Sequence, residues 1–455
     1  MREKNPSVIV IGSGIGGSAI AALLSHRGYR VTVFEKMNLI GGRCCTWERE
    51  GFSVDLGVHT FSQSGAGPLG EVLRRAGRSD DMVRWSYTKN PTQKMNYLGK
   101  TIEYPKGIAQ LGADADEYAA IFNKIVAMPS AQIDELNHVS LKEWLAKCTK
   151  DQVIYNIFAY ISVLYFVVPP TRASAGEFIR SMQAQALKRA SGYPVGGCRA
   201  IPQSFLDVLV ANGGMIRKNA PVRKIVIEDN TAKGVELASG ETITADIVIS
   251  NVDARATVFD LVGEKYFPSD YKDKVWQVEY TPGAFILKIA LKEKMTDEKF
   301  VMYIGHPDAD KYSWMLESKM VPEKVNLMIP VISNLDPTTA PPGKQLIIAG
   351  TFPAIKSDWS AWEKAVMDSV KVVFPDIEKY ILFTEVTSPE DVNKLVGEAG
   401  GIIGLAQTVD QVGVKRISQR TPVKNLYLVG SEAGGWGIGT ELAANSALEL
   451  DSMIP

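Results

Sequence analysis

The first residues able to do chemistry are Gly12-Ser13-Gly14-Ile15-Gly16-Gly17, a G-x-G-x-x-G spacing close to the start of the chain. In that spacing the first glycine permits a tight turn, the second lets backbone approach a pyrophosphate, and the third lets a helix pack closely on a strand. An acid, Glu35, follows roughly 20 residues on, where a carboxylate accepts hydrogen bonds from ribose hydroxyls and disfavours a 2′-phosphate. After Lys36 come Gly41-Gly42-Arg43, a guanidinium carried on a glycine loop, whose rigid donor fork suits phosphate oxygens. The chemistry implied is dinucleotide binding. Neither Lys-Ser nor Lys-Thr follows the glycine strings, which excludes a nucleoside triphosphatase loop.

These residues need a βαβ unit to position them. The apolar run 8–11 reads as a buried parallel strand, SAIAALLSHRG (18–28) as a helix stopped by Gly28, and 30–34 as a second strand ending at Glu35. The helix N-terminus would then receive the phosphates. Further along, 221–227 and 231–237 read as a hairpin around Glu228-Asp229-Asn230, and 245–250 and 425–429 as buried strands. The second of these ends in Gly430-Ser431-Glu432, and a glycine-rich loop to Gly439 opens a helix near Thr440. The positive end of that helix would stabilise negative charge beside it.

The chain has 455 residues, enough for two or three domains and a large core. Its 50 Lys+Arg nearly cancel 51 Asp+Glu, so no global field draws it to nucleic acid or an anionic bilayer. The four cysteines (Cys44, Cys45, Cys148, Cys198) form no C-x-x-C pair and read as reduced thiols in a cytoplasmic protein. The neighbours Cys44 and Cys45 suit small-residue packing better than a redox couple, because adjacent residues rarely reach bridging geometry. No metal-ligand spacing or nucleophile elbow is present in the sequence.

Three strings carry a family resemblance. EKMNLIGGRCCTWEREGFSVDLGVHTF resembles the extended N-terminal signature of the FAD-dependent amine oxidase and phytoene desaturase superfamily. YPVGGCRAIPQSFLDVLVANGGMIRKNAPVRKIV is similar to its phytoene desaturase and carotenoid isomerase branch, and NLYLVGSEAGGWGIGTELAANSALEL resembles the closing flavin segment. The resemblance implies non-covalent FAD and an α/β fold: a Rossmann-type, glutathione reductase-like FAD-binding domain interleaved with an α+β substrate domain. The FAD-binding domain is expected from 1–62, 196–256 and 402–455, and the substrate domain from 63–195 and 257–401.

The cofactor residues so implied are Gly12, Ser13, Gly14, Ile15, Gly16, Gly17, Glu35, Lys36, Gly42, Arg43, Gly57, His59, Val222, Gly430, Ser431, Glu432, Gly437, Ile438 and Gly439. Val222 would contact adenine through its backbone. Relatives commonly carry an acid directly after the closing glycine, where Ser431 stands here with Glu432 following, so either could hold the ribityl hydroxyls. Trp436 could flank the flavin ring or pack beneath the loop.

The catalytic group is open. A flavin accepts or donates a hydride at N5 by itself, and His59 is a weak candidate for a proton shuttle. The run IYNIFAYISVLYFVV (154–168) would reach about 22 Å as a helix, short of the roughly 30 Å of a bilayer core, and Pro169-Pro170 ends it. It reads as a buried core helix, the wall of an apolar tunnel, or a helix dipping into a bilayer surface.

The leading expectation is a FAD-dependent oxidoreductase that desaturates, saturates or isomerises a hydrophobic, isoprenoid or carotenoid-like substrate. A flavin amine oxidase and a prenyl-binding escort protein on the same fold are the alternatives. A nicotinamide dehydrogenase would lack the closing flavin segment.

Overall fold

A computed structural model describes residues 5–57, 60–87, 93–353, 357–397 and 401–455. Its centre is a five-stranded parallel sheet in the order Leu426–Leu428, Ile247–Ser250, Ser7–Ile11, Arg30–Phe34, Met215–Arg217. These strands come from distant parts of the chain, and Ser7–Ile11 lies in the middle. Because strand side chains alternate between faces, Val8 and Val10 enter one apolar core while Ile9 and Ile11 enter another. Helices Ile15–His26, Ala200–Ala211 and Gly439–Met453 cover the first face. An antiparallel sheet, Val222–Glu228, Thr231–Leu237 and Thr242–Thr244, shares the core of the second. The turn of its first hairpin is the expected one, with Asp229 and Asn230 both at positive φ.

The first helix starts at Ile15 rather than Ser18, with extended Gly14 as its N-cap. Glycine's poor helix propensity misdirects the reading there; close packing demands the glycines instead. A Cβ on Gly17 would stand 2.1 Å from the Gly12 carbonyl oxygen, and one on Gly16 2.5 Å from the Gly430 Cα. Every residue from Ile15 to Ser25 is buried, and Tyr29 N–H to Leu24 O and Gly28 N–H to Ser25 O close the helix.

The second layer is a seven-stranded mixed sheet ordered Ile381–Thr387, Phe285–Leu291, Gln345–Thr351, Leu327–Pro330, Phe300–Ile304, Gln93–Tyr97, Lys100–Tyr104. Phe285–Leu291 and Gln345–Thr351 are buried throughout. Phe285, Leu287, Ile289 and Leu291 share a core with helix Trp359–Val373, whereas Ile286 and Ala290 face the core of the parallel-sheet layer. At the other end, Met95, Phe300, Met302 and Met328 join a helical cluster that includes Ala115–Ala127, Gln152–Phe166 and Ala175–Lys188.

Helix Gln152–Phe166 contains most of the apolar run. The Asp151 carboxylate caps it by accepting from the Val153 and Ile154 N–H groups, and Val167 at positive φ ends it before the prolines. Ile154, Ile157 and Phe158 lie in the helical core. Among the described residues, no helix is long and apolar enough to cross a membrane.

Candidate functional site

The carboxyl ends of the parallel strands open into a cavity of about 1740 Å³. Gly12, Ser13, Gly14, Ile15 and Gly16 line it, so the start of helix Ile15–His26 points its unpaired N–H groups into the space. Glu35 and Lys36, Gly42 and Arg43, Val222, Ser431 and Glu432, and Ile438 and Gly439 line the same cavity. Gly17, Gly57, Gly430 and Gly437 lie off its wall. Gly17 packs on the Gly12 carbonyl and Gly430 on Asn251, while Gly57 is buried. His59 lies outside the described residues.

Glu35 is buried and already organised. Its Oε2 accepts from the Ser13 N–H at 2.9 Å and the Ser13 hydroxyl at 2.7 Å, and Oε1 accepts from the Met37 N–H at 2.9 Å. These bonds lock the end of the second strand to the glycine turn. A carboxylate offers about four lone-pair sites, so acceptor capacity remains for a hydroxyl.

Glu432 is organised differently. It is 4 % exposed, and neither carboxylate oxygen makes a hydrogen bond of good geometry, the nearby Tyr280 phenol included. The Arg43 guanidinium lies 4.0 Å from Oε1, and Arg43 Nε donates to the Gly401 carbonyl at 2.8 Å. Burial pushes the Glu432 carboxyl up to about 7, with Arg43 opposing and Asp253 adding to the rise. A buried acceptor with no donor is costly unless a ligand supplies one. Ser431, equally a candidate from sequence, also lines the cavity, and its carbonyl accepts from Arg416 Nη2 at 2.8 Å.

Several contributors were not legible in the sequence. The Asn251 side chain is wedged between the glycine loops: a Cβ on Gly14 would meet its Nδ2 at 2.7 Å, and one on Gly430 its Oδ1 at 2.4 Å. The only signal was its place after a buried strand. Arg416 donates from Nε to the Gly434 carbonyl at 2.8 Å and so fixes the closing loop, together with its bond to Ser431. Gln407 Nε2 donates to the Gly437 carbonyl at 2.7 Å. Trp436 is off the cavity wall, and its carbonyl accepts from Asn445 Nδ2 at 2.9 Å.

Much of the remaining wall is apolar, interspersed with polar side chains such as Gln185 and Arg189. Ile161, Leu164 and Tyr165 of helix Gln152–Phe166 face the cavity with Tyr118, Phe122 and Met182 from neighbouring helices and Phe300, Met302 and Met328 from the mixed sheet. The run 154–168 thus serves both as core helix and as cavity wall.

Glycine loops from opposite ends of the chain meet beside a helix N-terminus, an arginine and two buried carboxylates, and the sequence from 15 to 449 matches the family of flavin containing amine oxidoreductases. The chain belongs to that family. It is a FAD-dependent oxidoreductase. The residues present fit FAD: carboxylates at Glu35 and Glu432 accept hydroxyl donors, and helix N–H groups and Arg43 suit phosphates.

Among curated proteins, the zeta-carotene-forming phytoene desaturase of Myxococcus xanthus is 25% identical, with 96% of this chain and 91% of that protein covered. The chloroplastic prolycopene isomerase of Daucus carota is also 25% identical, over 94% of this chain and 77% of that protein. An oxidoreductase structure from Methanosarcina mazei superposes with a TM-score of 0.77 at 22% identity, covering 98% of this chain and all of that one, which establishes the shared fold.

Proposed function

We propose that this flavoprotein transfers hydrogen to or from a carbon–carbon bond of a long isoprenoid or carotenoid-like hydrocarbon, so desaturating, saturating or isomerising it. The observation that carries the reading is the continuity of the cavity. One space of about 1740 Å³ joins the glycine loops to a wall of aromatic, aliphatic and methionine side chains. Single-ligand pockets run to about 1,000 Å³, so this space suits a dinucleotide and a bulky apolar substrate together. The names of the similar desaturase and isomerase support the same class.

FAD, when bound, supplies the hydride chemistry. The protein's part is to hold it without a covalent link through residues 12–16, Glu35, Arg43, Val222, Ser431, Glu432, Ile438 and Gly439, to lay the hydrocarbon along the apolar wall, and to exclude water. The cofactor domain comprises 1–62, 196–256 and 402–455, and the substrate domain 63–195 and 257–401. A substrate this apolar also implies contact with a membrane surface or lipid carrier.

The test is anaerobic reduction of the bound flavin in liposomes carrying phytoene-type polyenes, with polyamines and aromatic amines in parallel. Bleaching of the flavin band by the polyene alone is expected for desaturation, and a saturated or isomerised polyene from the pre-reduced enzyme for the other two reactions. Reduction by amines with hydrogen peroxide release would replace this reading with that of an amine oxidase, and a protein that takes up no flavin would favour an escort role.

A further inference from the structure

The carboxylates on the cavity wall are not equivalent. Glu35 is committed to Ser13 and Met37, Glu432 lies against Arg43, Asp253 accepts the Ala256 N–H, and Asp260 at the rim is exposed to solvent. Glu441 stands apart, in the first turn of the closing helix Gly439–Met453 and only 2 % exposed. Its Oε1 accepts from the Ser62 hydroxyl at 2.9 Å and the Gln63 N–H at 3.2 Å. Its Oε2 has the Thr440 hydroxyl at 3.5 Å, a distance at which a hydrogen bond is weak. One oxygen is therefore anchored and the other is left to take a proton. Glu441 and Ser62 line the cavity, as do Ile438 and Gly439 on the cofactor side and Tyr165 on the apolar side.

We propose that Glu441 is the proton-exchanging acid/base of this enzyme, positioned where the closing glycine loop meets the apolar wall. Loss of two hydrogens from a carbon–carbon bond has two halves. One C–H bond breaks with its electron pair, and the hydrogen leaves as hydride to the oxidised flavin. The adjacent C–H bond leaves its pair behind as the new π bond and gives its proton to Oε2 of Glu441. Atoms and charges balance, and the reverse direction uses the same proton. This rests on the oxidoreductase reading of the site and adds the group that handles the second hydrogen.

The surroundings suit the role. Burial raises the Glu441 carboxyl above its usual range, against the lowering effect of its donors from Ser62 and Gln63. The titratable groups facing it are the Tyr165 phenol and the Cys44 thiol, each pushed far up by burial. Neither exchanges protons near neutrality. Negative charge gathered in the cavity on reduction raises the proton affinity of a nearby carboxylate further, so Glu441 should bind a proton when the flavin is reduced.

The test is the pH dependence of the bound flavin's midpoint potential, measured without substrate in the wild-type holoenzyme and in Glu441→Gln, which keeps an oxygen for Ser62 and Gln63. One extra proton per two electrons steepens the wild-type curve by about 30 mV per pH unit over its window, a tenfold change in equilibrium constant. Glu441→Gln should lack that bend. With a substrate that reduces the wild-type flavin, Glu441→Gln should slow the reduction by roughly 10²- to 10⁴-fold. Superimposable potential curves for wild type and Glu441→Gln would overturn the proposal. A lost bend in an enzyme that no polyene reduces would leave it standing and remove the substrate reading instead. If Glu441→Gln fails to hold flavin, Glu441→Asp gives the comparison: a bend displaced along the pH axis is expected, and an unmoved one overturns the assignment.

Discussion

Oε1 of Glu177 accepts the backbone N–H of Gly437 at 2.7 Å, tying the helical cluster to the closing glycine loop. Glu177 is 3 % exposed and lies on helix Ala175–Lys188, while Gly437 directly precedes the loop's last turn into helix Gly439–Met453. Gln407 holds the Gly437 carbonyl from the other side, and Arg180 pairs with Glu177 Oε2 at 3.1 Å. The helices that wall the apolar cavity are thereby linked to the loop proposed to hold FAD.

Glu177→Ala leaves the buried Gly437 N–H without an acceptor, at a cost of about 1–3 kcal/mol. Arg180 keeps Asp134 as a partner, so no second orphan adds to this. The expected result is a lower denaturation midpoint together with faster FAD loss on dilution. Glu177→Gln, whose amide oxygen can still accept from Gly437, should recover most of both. Equal behaviour of the Ala and Gln variants would show that the loop is held by other contacts.

How much of this was visible beforehand depends on where each signal lies. The βαβ start, the hairpin and the closing helix are local patterns, so residues 12–16, Glu35, Arg43 and Glu432 could be named and do share one cavity. Asn251, Glu177, Gln407 and Arg416 could not, because each acts on backbone or loops far away in the chain. A lone buried polar residue gives no periodic signal. The helix start was misplaced for a related reason: Gly16 and Gly17 answer to tertiary contacts, which override propensity.

The glycines of the first turn should differ in what their loss does. A Cβ on Gly17 would stand 2.1 Å from a backbone oxygen that cannot yield, so Gly17→Ala should fail to fold or be strongly destabilised. A Cβ on Gly14 would meet only the end of the Asn251 side chain, which gives way at less cost than backbone does. Gly14→Ala should therefore fold but bind FAD more weakly, through crowding at the helix N-terminus. Circular dichroism and flavin content measured side by side check this, and a Gly17→Ala protein with normal stability would contradict it.

Burial holds the Glu432 carboxyl at about 7 in the folded protein, against 4.5 for an unperturbed group. The folded value is raised, so its contribution to stability is fully present below pH 4.5 and is lost as pH rises through 7. Glu432→Gln cannot ionise and escapes that loss. The flavin-free variant should gain on wild type across this window, by about 3 kcal/mol at most. Hydroxyl donors favour the ionised form, so FAD affinity of the wild type should tighten over the same range while that of the variant stays flat. Urea titrations and flavin binding at several pH values read both effects; a stability difference independent of pH would reject the raised carboxyl.

Lys288 is fully buried within strand Phe285–Leu291, its Nζ 2.8 Å from Glu385 Oε1, 2.7 Å from the Thr387 hydroxyl and 4.0 Å from the Trp47 ring centroid. It joins the mixed sheet to the hairpin Thr46–Arg49 and Phe52–Asp55, which follows the Arg43 loop. A buried pair repays its desolvation only in part, so replacing it by packing is cheap while breaking it is not. Glu385→Ala strands the ammonium and removes a partner of Arg49, for an expected loss of about 3–5 kcal/mol, moderated by Thr387 and Trp47. Lys288→Met fills the same space, and Glu385 keeps Arg49 and access to solvent, so its loss should stay below about 1.5 kcal/mol. Denaturant midpoints of the two variants decide the matter: if Lys288→Met proves the more damaging, the ammonium is contributing more than its cost of burial.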